Sequence, residues 1–402
     1  MVVDRLKANR NALTACAVLG AFFVTVAAGA YAYTLDWRLP FPRDGTTLVV
    51  GRDFLNFWMY GRAASMADPG AWYDPHTYNT MLAALLGDNY PGQNWSYPPT
   101  LMLLMTPFAR LGYLPALALW TAIGLVIFLP VIWRYLDDRR AVIAVMCSPA
   151  AVFGVISGQI SFLTTALMLG AFMWLDRRPV AAGALIGALT LKPHLGVLFP
   201  IVLALSRRWV VFASAAATAL GLAAVSALLF GVKPWIDYIE IGLAVQNFVL
   251  SDPERIATPF FPTLFMNLRG IGLPYSVAMA AQAALAIIAV TMVAWAFRTR
   301  ANEPRILAAL FFACSLSALP YMLAYDTLAL CVAALALLAD GTLDARGRWL
   351  ARLIYWLPLL QIGLGTLHVP GPALIAPAFA LCLFMRLYAA ERSQAGAALR
   401  TT

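Results

Sequence analysis

The chain has 402 residues, of which 62% are apolar and 12% charged. A typical soluble protein has about 45–50% and about 25%, so there are too few polar groups here to coat a water-facing surface, and collagen-like, coiled-coil and disordered chains are excluded as well. The formal charge of +9 does not point to nucleic acid, because there are only three lysines and the arginines fall in short clusters between apolar stretches, as in a polytopic membrane protein.

Arg5, Lys7 and Arg10 precede an apolar run from Ala12 to Tyr33 that has no small-residue cleavage site, so it reads as an uncleaved first span. Basic clusters then stand at 134–140, 177–178, 207–208, 298–305 and 346–352. They divide the chain into spans at 12–34, 113–133, 141–156, 160–175, 179–191, 194–206, 209–231, 272–297, 306–319, 325–339, 349–366 and 371–387. The expected fold is one all-α integral-membrane domain over 1–402, a bundle of about 12 (10–12) transmembrane helices. With both termini cytoplasmic, 19 of the 28 Lys/Arg lie inside and nine outside.

Two long loops then fall on the non-cytoplasmic face. The first, 35–99, is rich in Asp, Tyr, Trp, Gly and Pro; the second, 232–271, carries Trp235, Asp237, Glu240, Asp252 and Glu254. Loops of this length are commonly functional. In the first loop, Phe54, Phe57, Trp58 and Gly61 recur at helical spacing and predict a short amphipathic helix in the membrane interface. Asp53 starts it, either as an N-cap for the first amides or as a general base above the bilayer. Trp37, Trp58, Trp72 and Trp95 read as belt aromatics, with sugar stacking as the other use. Tyr73-Asp74-Pro75 and Tyr97-Pro98-Pro99 read as loop.

The segments 179–191 and 194–206 hold 13 residues each, about 20 Å of helix against a hydrocarbon core of about 30 Å. Their junction, Lys192-Pro193-His194, is therefore expected at membrane depth beside a cavity. Ser157-Gly158-Gln159 interrupts the preceding pair in the same way. Lys192 is either a structural ion-pair partner of a carboxylate such as Asp326 or a fixed cation for a phosphate headgroup. His194 is either a packing or capping residue or a further donor to that phosphate. Tyr321, Tyr325 and Asp326 stand where two spans meet on the outer side, Asp326 being the only acidic residue between Glu303 and Asp340. Its readings are a partner for Lys192 or Arg269, or an acceptor-site carboxylate. No P-loop, HExxH or DxD occurs, which gives no support to nucleotide hydrolysis, zinc proteolysis or a nucleotide-sugar transferase of the paired-aspartate type. Cys16, Cys147, Cys314, Cys331 and Cys382 stand singly in apolar stretches and predict neither disulfides nor a metal site.

Taken together, Gly51-Arg52-Asp53-Phe54, Tyr73-Asp74-Pro75, Tyr97-Pro98-Pro99 before Pro107, Gly158-Gln159 and Leu191-Lys192-Pro193-His194 resemble glycosyltransferase family 87. These are membrane enzymes of the GT-C class that include polyprenyl-phosphate-mannose mannosyltransferases. The ordered set covers roughly residues 50–200. Members carry a histidine near Pro320-Tyr321, whereas Tyr325 and Asp326 stand there in this chain. The resemblance implies a polyprenyl-phosphate sugar donor (a mannose-like hexose or a pentose), a glycolipid or glycan acceptor, and membrane lipid around both, without nucleic acid. It implies Asp53 as base, Lys192 and His194 on the donor phosphate, and Arg52, Tyr97, Gln159, Tyr325 and Asp326 on substrate. Transfer would be inverting, without cofactor or metal, at the periplasmic face of a bacterial cytoplasmic membrane. The alternative is a transporter or flippase of a lipid-linked glycan or small solute with Lys192 and Asp326 as a charge relay; it leaves the 65-residue first outer loop unexplained.

Overall fold

Hydrophobic length decides which helices meet lipid and which are enclosed by protein. The computed structural model describes residues 2–251, 259–299 and 303–398 and, among these, contains helices and no strand. The helices are α1 (Val2–Thr34), α2 (Phe54–Ala63), α3 (Pro75–Leu86), α4 (Thr100–Met105), α5 (Tyr113–Leu136), α6 (Arg139–Met146), α7 (Pro149–Ile156), α8 (Ser161–Trp174), α9 (Pro179–Gly187) and α10 (Phe199–Leu205). They continue with α11 (Trp209–Phe230), α12 (Lys233–Asp237), α13 (Leu243–Ser251), α14 (Leu264–Gly270), α15 (Tyr275–Arg298), α16 (Pro304–Ala318), α17 (Leu328–Ala339), α18 (Ala345–Thr366) and α19 (Ile375–Ala398).

All twelve expected spans fall on helix, yet among the described residues only five stretches are long and apolar enough to cross a membrane unaided, or six if α6 and α7, bent by 45°, count as one. Those five are Lys7–Thr34, Tyr113–Leu136, Trp209–Phe230, Tyr275–Arg298 and Gly371–Ser393. Their outer faces leave Phe22, Val126, Leu220, Leu228 and Ile287 uncovered, the pattern expected where hydrocarbon is the solvent. The short apolar helices have the opposite setting. In α17 every residue from Leu328 to Leu338 is buried, as suits a helix that is apolar all round, and α16 is buried from Ala308 to Ser317. Beside them, Gly183 and Gly187 let α9 and α11 meet backbone to backbone: a Cβ at either glycine would come within 2.4 or 2.5 Å of a carbonyl oxygen of α11.

The first loop folds as a cap, and here two expectations are corrected. Nine of the ten residues of α2 are buried, so it is not an interfacial helix with one wet face; on the side that periodicity assigns to solvent Asn56 donates to the carbonyl of Asn94 and Tyr60 packs on the loop, while Gly61, on the apolar stripe, sits against the carbonyl of Met105 in α4. Trp58, Trp72 and Trp95 are likewise core residues, and only Trp37 is exposed. Trp95 stacks on Tyr60 with centroids 3.6 Å apart. Lys233 at the start of the second loop bridges Asp68 and Asp237 at 3.0 and 2.7 Å, tying the two loops together. Trp235 donates to Ser226, Glu240 is exposed, and Asp252 and Glu254 lie outside the described residues.

Candidate active site

The chain leaves α1, crosses the cap and reverses at Gly51 (φ +85°) and Arg52 (φ +37°) before entering α2. The Nε of Arg52 meets the buried carboxylate of Asp44 at 2.7 Å, while its carbonyl accepts from the Gln93 amide at 3.1 Å. Arg52 thus serves as the partner that the buried Asp44 needs under the cap. The amide of Phe54 donates to Gly51 and to Ser157 at 2.7 and 3.2 Å, stitching the start of α2 to the turn between α7 and α8. That approach is close. A Cβ on Gly158 (φ +55°) would lie 2.5 Å from that of Phe54, so glycine is required for both space and conformation.

Asp53 is the N-cap residue of α2, but its side chain caps nothing. Its Oδ2 accepts from Gln159 Nε2 and from the Tyr325 hydroxyl, each at 2.9 Å, and the same Gln159 nitrogen lies 2.9 Å from that hydroxyl. The capping alternative for Asp53 therefore fails, and three elements remote in sequence meet on one carboxylate. Tyr325 and Asp326 occupy a single three-ten turn, Ala324–Thr327, ahead of α17. Next to them the expected hairpin tightens at both arms: three-ten turns at Ala188–Leu191 and Pro193–Gly196 leave Lys192 at the junction. Lys192 Nζ meets Asp326 Oδ1 at 2.5 Å, with side chains 3% and 1% exposed, and lies 5.0 Å from the centre of the Tyr325 ring. The ion-pair reading of Lys192 is the one the geometry displays. Arg269, the other suggested partner of Asp326, instead donates to the carbonyl of Leu273.

His194 has a buried Nε2 without a hydrogen-bond partner and stands close enough to feel both Lys192 and Asp326. The Tyr97 phenol lies near the same carboxylates: burial first, then Asp326 and Asp53, push it well above its ordinary range. Its backbone is pinned by the cap. The hydroxyls of Tyr60 and Tyr73 donate to the Tyr97 carbonyl at 2.7 and 2.6 Å, which joins two sequence motifs that are separate loop signals in the chain. Asp74, by contrast, caps α3 by accepting from the amide of Thr77 at 2.8 Å.

The site thus unites Asp53, Tyr97, Gln159, Lys192, His194, Tyr325 and Asp326 and leaves Arg52 aside. Sequence reasoning missed Gln93, whose amide donates to both Arg52 and Tyr90 and fixes the turn before Asp53, and Asn56, which accepts from Tyr78 at 2.5 Å. Both lie in the cap, and neither has a periodic or motif context that marks it. Two apolar cavities border the polar cluster, one of about 340 Å³ reaching Gln159 between α4, α5 and α8, the other of about 320 Å³ along Thr190 and Pro193. Among the described residues, no group of three or more His, Cys, Asp or Glu is placed to hold a metal ion.

The family model for glycosyltransferase family 87 matches residues 95–320. Comparison with curated proteins and with solved structures gives no match. The matched stretch carries Tyr97, Gln159, Lys192 and His194 in the cluster just described, while Asp53, Tyr325 and Asp326 reach it from either side of the match. Matched over more than half its length, the chain belongs to glycosyltransferase family 87 and is a membrane glycosyltransferase.

Proposed function

We propose that the enzyme moves a sugar, a mannose-like hexose or a pentose, from a polyprenyl-phosphate donor to a hydroxyl of a lipid-linked or other envelope glycan, on the periplasmic face of a bacterial cytoplasmic membrane. The single observation that carries this reading is the state of Asp53: a carboxylate at a helix start that ignores the helix amides and is held by Gln159 and Tyr325 with one oxygen open. In the proposed step the acceptor hydroxyl gives its proton to Asp53 as its oxygen attacks the anomeric carbon. The bond from that carbon to the phosphate oxygen breaks, the electron pair stays on the phosphate, and polyprenyl phosphate leaves. A phosphate needs no general acid to depart, only a nearby cation for the added charge, and Lys192 supplies it. Attack from the face opposite the leaving group inverts the anomeric carbon.

Charge constrains this step. Asp53 and Asp326 against Lys192 leave the cluster one negative charge in excess, so an arriving phosphate competes with Asp326 for the ammonium. His194, next to both, is the group available to add a donor. The apolar cavities beside Gln159 and Thr190 have the lining a prenyl chain requires. Family membership weighs against the transport reading.

The test uses purified protein in nanodiscs with a panel of radiolabelled polyprenyl-phosphate sugars and a crude lipid extract. Asp53→Asn is expected to lower transfer by at least about 10²-fold while donor binding is retained. Transfer by Asp53→Asn at the wild-type rate removes Asp53 from the mechanism; failure of every polyprenyl-phosphate donor overturns the donor class.

A further inference from the structure

Two of the groups around Asp53 are given no part in the reaction above, and their hydrogens can be placed one by one. The Gln159 nitrogen is a donor only and lies 2.9 Å from Asp53 Oδ2 and 2.9 Å from the Tyr325 hydroxyl, so both oxygens accept from it. The Gln159 oxygen accepts from the amide of Ile160 at 3.1 Å, which sets which end of the side chain faces Asp53. The Tyr325 hydroxyl keeps one hydrogen of its own, and it is directed to Asp53 Oδ2 at 2.9 Å. Oδ2 therefore receives two hydrogen bonds, whereas no donor among the described residues reaches Oδ1. An oxygen with two donors already on it is the poorer proton acceptor of the pair. The Tyr325 ring also faces Lys192 at 5.0 Å, and its neighbour Asp326 pairs with the same ammonium, so the clamp on the base is built into the turn that holds the cation.

We infer that Tyr325 and Gln159 are positioning residues that grip Asp53 by Oδ2 and present Oδ1 as the oxygen that takes the acceptor's proton. The inference rests on Asp53 being the base. The remaining titratable groups near Asp53 are Tyr90, Tyr97, Tyr113 and the Lys192–Asp326 pair. Tyr325→Phe leaves all of them in place and keeps the ring over Lys192; it deletes one hydroxyl.

The experiment measures transfer as a function of pH for wild type, Tyr325→Phe, Gln159→Leu and Asp53→Asn, each shown to be monodisperse and to bind donor. For Tyr325→Phe we expect kcat to fall at least about tenfold with donor KM within about twofold. Because a hydrogen bond to a carboxylate favours its charged form, losing it is expected to move the acid limb of kcat/KM to higher pH. Gln159→Leu moves it the same way and serves if the tyrosine variant does not fold. If Asp53→Asn is inactive while both variants keep the wild-type kcat and acid limb, the base stands and the positioning role is overturned. A fall in kcat with an unmoved acid limb is what general loosening gives, and it overturns the role too. Wild-type transfer by Asp53→Asn would instead sink the underlying assignment of the base.

Discussion

Lys192 and Asp326 meet at 2.5 Å with 3% and 1% of their side chains exposed. Removing either charge from water costs several kcal/mol, and their attraction returns this only while both are present. Lys192→Ala alone is therefore expected to destabilise the protein by about 3–5 kcal/mol, and Lys192→Ala with Asp326→Ala by clearly less, because no buried charge is left unpaired. Thermal unfolding in one detergent would check this, and a double variant less stable than the single would refute the pairing energetics. These two residues were legible in the sequence for the same physical reason. A lysine in an apolar hairpin and a lone aspartate among apolar spans are both too costly to lack a purpose. Gln159 and Tyr325 carry no charge and cost far less to bury than Lys192 or Asp326, so spacing alone did not mark them as partners of Asp53; the resemblance to the family put them on substrate. The pairing of Arg52 with Asp44 was not legible, because only the fold of the cap brings the two together.

Among elements, the turn 157–159 matters as much as any helix. It separates α7 from α8, receives the amide of Phe54 on Ser157 and offers the carbonyl of Gly158 to the Trp120 indole at 2.9 Å. Gly158→Ala meets two obstacles there: a left-handed backbone that costs an L-residue about 1–2 kcal/mol, and a Cβ 2.5 Å from that of Phe54. Phe54 is fixed by Tyr113 and Trp120, so relief must come from moving the start of α2, which carries Asp53. We expect Gly158→Ala to lose at least about tenfold in transfer rate while donor binding changes little; unchanged turnover would show that this turn does not set the position of Asp53. The periodicity of α2 was readable, but its burial was not. A hydrophobic stripe records only which side is more apolar, and the rest of the first loop covers the other side.

At the scale of the molecule, the five long apolar helices and the short enclosed ones run between two unlike ends. Arginines crowd the connections at one end, where Arg305 meets Asp340, Arg208 meets Asp176 and Arg386 approaches Glu303 at 3.7 Å. The cap and the Asp53 cluster are built on the alternate connections, which succession along the chain places at the opposite end. Helical segments were legible because apolar length is a local property. The number of true crossings was not, since a twelve-residue apolar helix such as α17 reads the same whether lipid or protein surrounds it. If arginines mark the cytoplasmic side, the cap and Asp53 face outward, where a lipid-linked donor would have to be presented. Asp88 in the cap and Arg346 in the first turn of α18 are both exposed and serve as reporters of the two ends. In intact cells, Asp88→Cys is expected to react with a membrane-impermeant maleimide and Arg346→Cys only after permeabilisation. The parent protein, whose five native cysteines are buried or half-buried, provides the background. The reverse labelling pattern would turn the molecule over, put Asp53 in the cytoplasm and require the donor to be loaded from that side, so periplasmic transfer would have to be abandoned even if Asp53 proved to be the base.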